Sequence, residues 1–165
     1  MKKISKKSKH AQAWGMDLIV ASVIFTVGLV AFYLYALNRP GEAEETIDSL
    51  FYDGNVVASS VLSEGYPQDW NSGSVVMLGI LNENRINETK LERFNNFAKS
   101  DYTKTKTIFN IRANYYFFLN ETMLINSQPV EGIGSPPITY ENLIKITRFT
   151  IYKEKPTSAY FYVWK

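Results

Sequence analysis

The longest feature of the hydrophobic pattern is an uninterrupted apolar run from Leu18 to Leu37. Its clearly polar members are Ser22 and Thr26, whose hydroxyls can bond to carbonyls one helical turn earlier. At a rise of about 1.5 Å per residue, such a helix is about 30 Å long, which matches the hydrocarbon layer of a membrane. The run therefore predicts one helix that spans the lipid bilayer over 18–38, with Arg39 and Pro40 at its outer end.

A helical period returns after the apolar run and predicts an amphipathic helix from Glu42 to about Val61. Gly65 and Pro67 supply its stop, and the turn-like triplet Asp53-Gly54-Asn55 can divide it into two pieces. The apolar positions that fall on one face are Ile47, Leu50, Phe51, Gly54, Val57, Ala58 and Val61.

The middle of the chain predicts one short strand and two further helices. The apolar segment from Ser74 to Leu81 is typical of a strand buried on both faces. A capping box at Thr89 to Glu92 predicts a helix to about Lys99, with Leu91, Phe94 and Ala98 facing inward. Asp101 begins another short helix, towards Ile108.

The last third of the chain is rich in aromatic and β-branched residues, which favour strands. We expect an antiparallel sheet from three segments, Arg112 to Leu119, Leu143 to Lys153 and Ser158 to Trp164, with a hairpin turn at Glu154-Lys155-Pro156. The segment from Asn126 to Pro137 contains many breakers and predicts a mobile surface loop. The fold class is therefore α+β, with residues 39–165 forming one domain of ordinary size.

The charge distribution indicates orientation across a membrane. The chain has a formal net charge of +2, but its N-terminal segment, 1–17, carries Lys2, Lys3, Lys6, Lys7 and Lys9, and the part after Asn38 is slightly acidic. A lysine-rich flank remains in the cytoplasm, so we expect a single-pass protein of the cell membrane with residues 39–165 outside. The same distribution argues against nucleic-acid binding.

The residues that common enzyme mechanisms require are scarce. The chain has no cysteine, and its one histidine, His10, precedes the apolar run. The outer domain therefore has no thiol nucleophile, no histidine base and no imidazole ligand for zinc, and we expect neither catalysis nor a metal or cofactor. Asp53, Glu64 and Asp69 can be read as calcium ligands or as a solvated surface, and their spacing favours the surface.

The N-terminal block KKSKHAQAWGMDLIVASVIF resembles the class III signal of archaeal type IV pilins. The resemblance implies cleavage between Ala11 and Gln12 by a prepilin-type peptidase, and an amphipathic helix packed on an antiparallel sheet outside. It also implies that Asp17 neutralises the new amino group of a neighbouring pilin-like subunit, because a lone charge is costly in an apolar core. The alternative for Asp17 is a position among the lipid headgroups, near the positive end of the helix dipole.

Several outer residues leave two interpretations open. Trp70 can form a ligand platform or close the edge of the core, and the strand tyrosines can stack on sugars or on each other across strands. Asn87 and Asn120 each begin an Asn-Glu-Thr triplet, which is a glycosylation acceptor if the domain lies outside the cell.

The sequence thus leaves two hypotheses about function. The first is a non-catalytic pilin-like or minor-pilin surface protein that assembles through its N-terminal helix into a filament or envelope complex. The second is an uncleaved single-pass protein whose outer domain binds a ligand or a partner. Cleavage after Ala11 and assembly that depends on Asp17 discriminate between them.

Overall fold

A computed structural model describes the backbone of residues 8–37 and 41–165 and the side chains of residues 15–37 and 46–165. The chain divides into two compact units, 1–42 and 43–165. The predicted stop at Arg39 and Pro40 lies outside the described residues.

The first helix, α1 (Ser8–Leu37), contains the whole apolar run and begins before it. Its described side chains are exposed on almost every side, including the aromatic residues Phe25, Tyr33 and Tyr35. Thr26 Oγ1 donates a hydrogen bond to the carbonyl of Ser22 over 2.8 Å, as its position one turn later predicts. The helix therefore satisfies this hydroxyl internally and presents apolar surface all round.

The second helix, α2 (Gly41–Val61), confirms the predicted amphipathic segment but is not broken at Asp53-Gly54-Asn55. Gly54 lies against the sheet, where a Cβ atom would come within 2.6 Å of Ile146 Cδ1. Asp53 is buried and accepts a hydrogen bond from the amide of Ala113 over 3.3 Å. The triplet is therefore packed against the rest of the domain, and such packing overrides the turn preference of its residues. Two residues of the predicted inner face, Ile47 and Phe51, are exposed instead.

Eight strands follow, and all but two of them form one sheet. Its order is β1-β2-β7-β8-β3-β6, while β4 and β5 form a separate hairpin. Every pair of neighbours is antiparallel except β2 and β7, which run parallel. The predicted antiparallel sheet is therefore correct for its main strands, and the whole sheet is mixed. The strands are β1 (Leu81–Asn82), β2 (Arg85–Ile86), β3 (Asn114–Leu119), β4 (Met123–Ile125), β5 (Gln128–Val130), β6 (Ile133–Gly134), β7 (Leu143–Tyr152) and β8 (Lys155–Trp164).

The predicted strand from Ser74 to Leu81 is wrong for most of its length. The segment makes one isolated bridge, between Met77 and Tyr66, and only Leu81 belongs to a strand. The amides of Ile80 and Leu81 instead donate to the carbonyls of Val61 and Ser63, at the end of α2. The segment therefore closes the end of a helix, because those carbonyls have no partner within the helix.

The turns of the sheet lie elsewhere than the sequence pattern predicts. The hairpin between β7 and β8 turns at Lys153-Glu154, both with positive φ, and Pro156 lies within β8. Two left-handed residues give the type I′ turn that suits twisted strands. Pro156 is opposite Ile151, at the end of the strand beyond the ladder with β3, so its missing N–H costs no bond there.

The predicted mobile loop from Asn126 to Pro137 contains regular structure instead. Asn126 and Ser127, with φ of 53° and 61°, form the turn between β4 and β5. Strand β6 then adds to the edge of β3 through Ile133 and Gly134. Gly134 has a φ of 111°, and a Cβ atom there would meet the carbonyl of Tyr115 at 2.4 Å. Glycine thus permits the close approach that makes this short strand possible.

Two helices cover the sheet between β2 and β3, namely α3 (Glu88–Ser100) and α4 (Tyr102–Phe109). Asn87, not Thr89, caps α3, because its side chain accepts from the amide of Lys90 over 3.0 Å. The predicted capping box is therefore wrong, although Leu91, Phe94 and Ala98 are buried as predicted. Asp101 caps α4, as predicted.

The core lies between these helices and the inner face of the sheet, and aromatic rings dominate it. Phe94 stacks on Tyr115 at 6.3 Å between ring centres and meets the edge of Phe109 at 6.2 Å. Phe117 and Phe161, on adjacent strands, are 5.1 Å apart. All these residues are buried, so α3 packs its aromatic face directly on β3.

Candidate functional site

The residues predicted to direct processing and assembly all lie on α1. Ala11 and Gln12 fall within its helical backbone, and their side chains lie outside the described residues. Asp17 lies two residues beyond Gly15, at the start of the apolar segment, and its side chain is exposed. The segment Gly15–Leu37 has a mean hydropathy of 2.3 and by length and composition could cross a membrane.

The small residues of α1 leave room for close approach by another helix. A Cβ atom added at Gly15 or Gly28 would meet no atom within 4 Å. Small residues of this kind let helix backbones approach one another in lipid. This open surface is therefore compatible with packing between helices.

The two glycosylation acceptors occupy different environments. Asn120 is exposed, directly after β3, and its amide donates to the carbonyl of Ser158. Asn87 is half-buried, and its side-chain oxygen caps α3. Whether either residue carries a glycan stays a prediction, and Asn120 offers the freer side chain.

The three carboxylates considered as calcium ligands lie in different environments. Asp53 is buried against Ala113, whereas Glu64 accepts from the amide of Glu83 over 3.3 Å and Asp69 is exposed. Among the described residues, no group of three or more His, Cys, Asp or Glu side chains could hold a metal ion.

Trp70 is not a ligand platform. Its side chain is fully buried, and Nε1 donates to the carbonyl of Gly79 over 2.7 Å. The indole therefore holds two loops together, which agrees with the alternative that it closes the core.

Two strand tyrosines, Tyr160 and Tyr162, contact Phe118 across the outer face of the sheet. Phe118 lies 5.1 Å from Tyr160 and 5.0 Å from Tyr162 between ring centres. Lys145 Nζ lies 4.0 Å from the centre of the Tyr160 ring, which is a cation–π contact. The rings are half-buried by these contacts, so cross-strand packing accounts for their presence.

A buried lysine is the main residue that the sequence pattern missed. Lys90 is 6% exposed, and its ammonium donates to the carbonyls of Glu64 and Leu81, each over 2.8 Å. Burial lowers the pKa of Lys90, while the nearby Glu64 carboxylate opposes that shift. A signal was present in the sequence, since Lys90 precedes Phe94 by one turn on the inner face of α3.

Lys90 lines one wall of an open cavity of about 390 Å³ beside the N-terminus of α3. Arg93, on the same wall, donates to the carbonyls of Asp69 and Trp70. Both cations are thus engaged by backbone oxygens, so their role is to join the loop of residues 64–70 to the helix. The other residues of the cavity are Gln68, Asp69, Asn82, Asn87 and Thr89.

A second polar cluster joins α4 to β3. The Tyr102 hydroxyl accepts from the amide of Tyr115 over 2.8 Å and donates to the carbonyl of Tyr115 over 3.1 Å. The Tyr115 hydroxyl and Thr105 Oγ1 are 2.6 Å apart in a hydrogen bond. Burial raises the pKa of both tyrosines, and most strongly that of Tyr115. These hydroxyls therefore stay protonated and serve as structural donors.

No family model, curated protein or solved structure matches this chain. The class of protein follows from its own geometry: a mixed α+β chain with an N-terminal apolar helix and a curled, largely antiparallel sheet.

Proposed function

We propose that this chain is a non-catalytic, pilin-like surface protein that is anchored in the cell membrane by α1 and assembles with similar subunits through that helix. The main support for this proposal is the apolar segment Gly15–Leu37, whose side chains are exposed on all sides. Exposed apolar surface of this extent needs lipid or other apolar helices around it. Residues 2–38 resemble a class III signal, which favours a helix that lies first in the lipid bilayer and then among the apolar helices of neighbouring subunits.

The amphipathic helix and sheet of residues 43–165 suit the outer part of such a protein. Helix α2 packs its buried face on the sheet, with Gly54 against Ile144 and Ile146. Its exposed face still carries Ile47, Phe51 and Tyr52. These apolar side chains offer further surface to a neighbouring subunit.

Processing is tested by the intact mass and N-terminal sequence of the protein from its native membrane. The proposal expects a mature chain that starts at Gln12, and an unprocessed chain when Ala11→Leu places a bulky residue before the cut. A native chain that starts at Met1 or Lys2 would contradict the proposal.

Assembly is tested by Asp17→Ala, with Asp48→Ala as the matched control on the exposed surface of α2. The Asp17 variant should insert into the membrane yet lose its filaments or complexes, because a new amino group would remain unneutralised in an apolar core. Both properties should persist in the Asp48 variant. Normal assembly of Asp17→Ala would reject the neutralising role.

The alternative function is an uncleaved single-pass protein whose outer domain binds a partner. It is favoured by the continuity of α1, which is helical from Ser8 through the position between Ala11 and Gln12. Under this alternative the mature chain retains its N-terminal lysines, and the Ala11 substitution changes nothing.

A further inference from the structure

Strand β7 has one edge that is almost entirely open. On one side, β7 pairs with β8 along its whole length, from Leu143 to Tyr152. On the other side, β2 pairs with it at a single position, Arg85 with Ile151. The lane beside residues 143–149 therefore contains no strand within the part of the chain that the structure describes.

The direction of the backbone groups follows from the hydrogen bonds at the start of the hairpin. Asn142 and Lys165 exchange two amide-to-carbonyl bonds. Because such pairs alternate along an antiparallel ladder, the even-numbered residues of β7 bond to β8 and the odd-numbered ones face the open lane. The amides and carbonyls of Leu143, Lys145, Thr147 and Phe149 thus point outward.

The residues around the open lane show unsatisfied features. Phe149 is 86% exposed, although it is a large apolar side chain. Thr150 is 9% exposed, and its hydroxyl has no hydrogen-bond partner. Arg148 Nη2 donates to Asn55 Oδ1 over 2.6 Å, and its Nη1 makes a second, longer bond of 3.3 Å to the outward carbonyl of Thr147. A buried hydroxyl and a strand edge normally have partners, so the Thr150 hydroxyl and the open edge of β7 indicate a missing neighbour.

A cavity of about 390 Å³ lies where the lane passes α2. Its floor is formed by Ala58 and Leu62, and Arg148, Phe149 and Thr150 form the wall from β7. An added strand would place alternate side chains towards this cavity, on the face that carries Arg148 and Thr150.

We infer that the open edge of β7 binds an extended acidic segment of a partner protein, which adds to the sheet as a strand beside residues 143–149. Charge selects the occupant. Lys145 and Arg148 are exposed on opposite faces of this edge, and both are cationic. Edge cations oppose pairing with a second copy, since the copy would bring its own Lys145 and Arg148 alongside. Glutamates at alternate positions would instead meet Arg148 and the Thr150 hydroxyl.

The test uses the full chain in detergent micelles and measures amide hydrogen exchange of β7 by NMR. The ligand is a synthetic peptide of about eight residues that alternates valine and glutamate, a length that covers the open lane. In the free protein we expect fast exchange at Leu143, Lys145, Thr147 and Phe149, and protection at the even-numbered positions. The peptide should slow exchange at those odd-numbered amides by about tenfold or more.

Matched variants separate backbone pairing from charge. Thr147→Pro removes one outward amide and should abolish this protection, whereas Thr147→Val should retain it. Arg148→Gln should weaken binding and reduce its dependence on salt. A peptide with N-methylated amides on one edge should fail on the unmodified protein, which keeps the test valid if the proline variant does not fold.

Four results would overturn the inference. The first is protection of the odd-numbered amides in the free protein at every concentration, and the second is protection that rises with protein concentration alone, since a second copy would then be the occupant. The third is equal binding of the N-methylated peptide. The fourth is equal binding of a peptide with lysine in place of glutamate, because charge would then select nothing.

Discussion

Lys90 shows how one charged residue can hold a loop to a helix. Its ammonium is the shared partner of two carbonyls, those of Glu64 and Leu81, and it is almost fully buried. We expect Lys90→Met to lower the free energy of unfolding by about 1–3 kcal/mol, because both oxygens lose a charged donor. Urea unfolding at neutral pH measures the change.

The control for this prediction is Lys99→Met, on an exposed position of the same helix. It should change the unfolding free energy by no more than about 0.5 kcal/mol. Equal stability of the two variants would mean that water replaces the Lys90 ammonium without cost.

Tyr115 is expected to make the folded domain less stable as the pH rises into the alkaline range. Burial raises its pKa in the folded protein, so above about pH 10 the unfolded chain loses this proton while the folded chain retains it. The unfolded state then binds fewer protons, and stability must fall as the pH rises, by up to about 1.4 kcal/mol per pH unit for this group. Tyr115→Phe should therefore make the decline above pH 10 shallower.

The same variant should lose about 1 kcal/mol at neutral pH, where the hydrogen bond with Thr105 is the main difference. Urea unfolding across pH 7 to 11 measures both effects. Tyr140→Phe is the control, since that side chain is 52% exposed. An unchanged alkaline slope in Tyr115→Phe would show that other groups cause the decline.

At the level of elements, the start of α3 is decided by one side chain. Asn87→Ala should cost about 0.5–2 kcal/mol of unfolding free energy, because the amide of Lys90 loses its capping oxygen. Thr89→Ala, inside the first turn, should cost less than about 0.5 kcal/mol. Both changes destroy the same glycosylation acceptor, so unfolding is compared in protein from a host without N-glycosylation. A larger loss of unfolding free energy in Thr89→Ala than in Asn87→Ala would support the capping box that the sequence pattern predicts.

The helices and the long strands were predictable because their signals are local. The period of apolar positions identified α2, and Asp101 identified the start of α4. Aromatic and β-branched density identified β3, β7 and β8. The start of α3 was ambiguous because Asn87 and Thr89 are both good N-cap residues. Only the hydrogen bond from the amide of Lys90 shows that Asn87 is the cap.

The turns were not predictable from the same local signals. Three two-residue turns, at Glu83-Asn84, Asn126-Ser127 and Lys153-Glu154, use residues with positive φ and no glycine. Glycine is the usual residue in such turns, so the sequence pattern placed the third turn at Glu154-Lys155-Pro156 and missed the first two. Strand pairing imposes these conformations, and pairing is a long-range property.

At the level of the whole molecule, the two compact units should be separable. We expect a chain that starts at Gly41, the first residue of α2, to retain the circular dichroism of the folded domain and to unfold cooperatively. It should not sediment with lipid vesicles, whereas the full chain should, because only the latter has the apolar helix. A truncated chain without near-ultraviolet signal would show that α1 is needed for folding.

Some features of the candidate sites could be predicted from neighbouring residues in the sequence, and others could not. Asp17 and the apolar run were evident from sequence because each is defined by its neighbours in the chain. The buried ammonium of Lys90 and the open edge of β7 depend on segments far apart in sequence, such as Glu64 with Lys90 and Arg85 with Ile151. No local pattern reports which strand lacks a neighbour.

The position of β8 has a consequence for biosynthesis. This strand lies between β7 and β3, and it ends at Trp164, so the middle of the sheet is synthesised after every other element described here. A nascent chain cannot close its core until the ribosome has released this strand, because contacts distant in sequence form only when both partners exist. Until then the exposed aromatic residues of β3 and β7 need protection by chaperones, and late truncations should leave an unfolded, protease-sensitive chain.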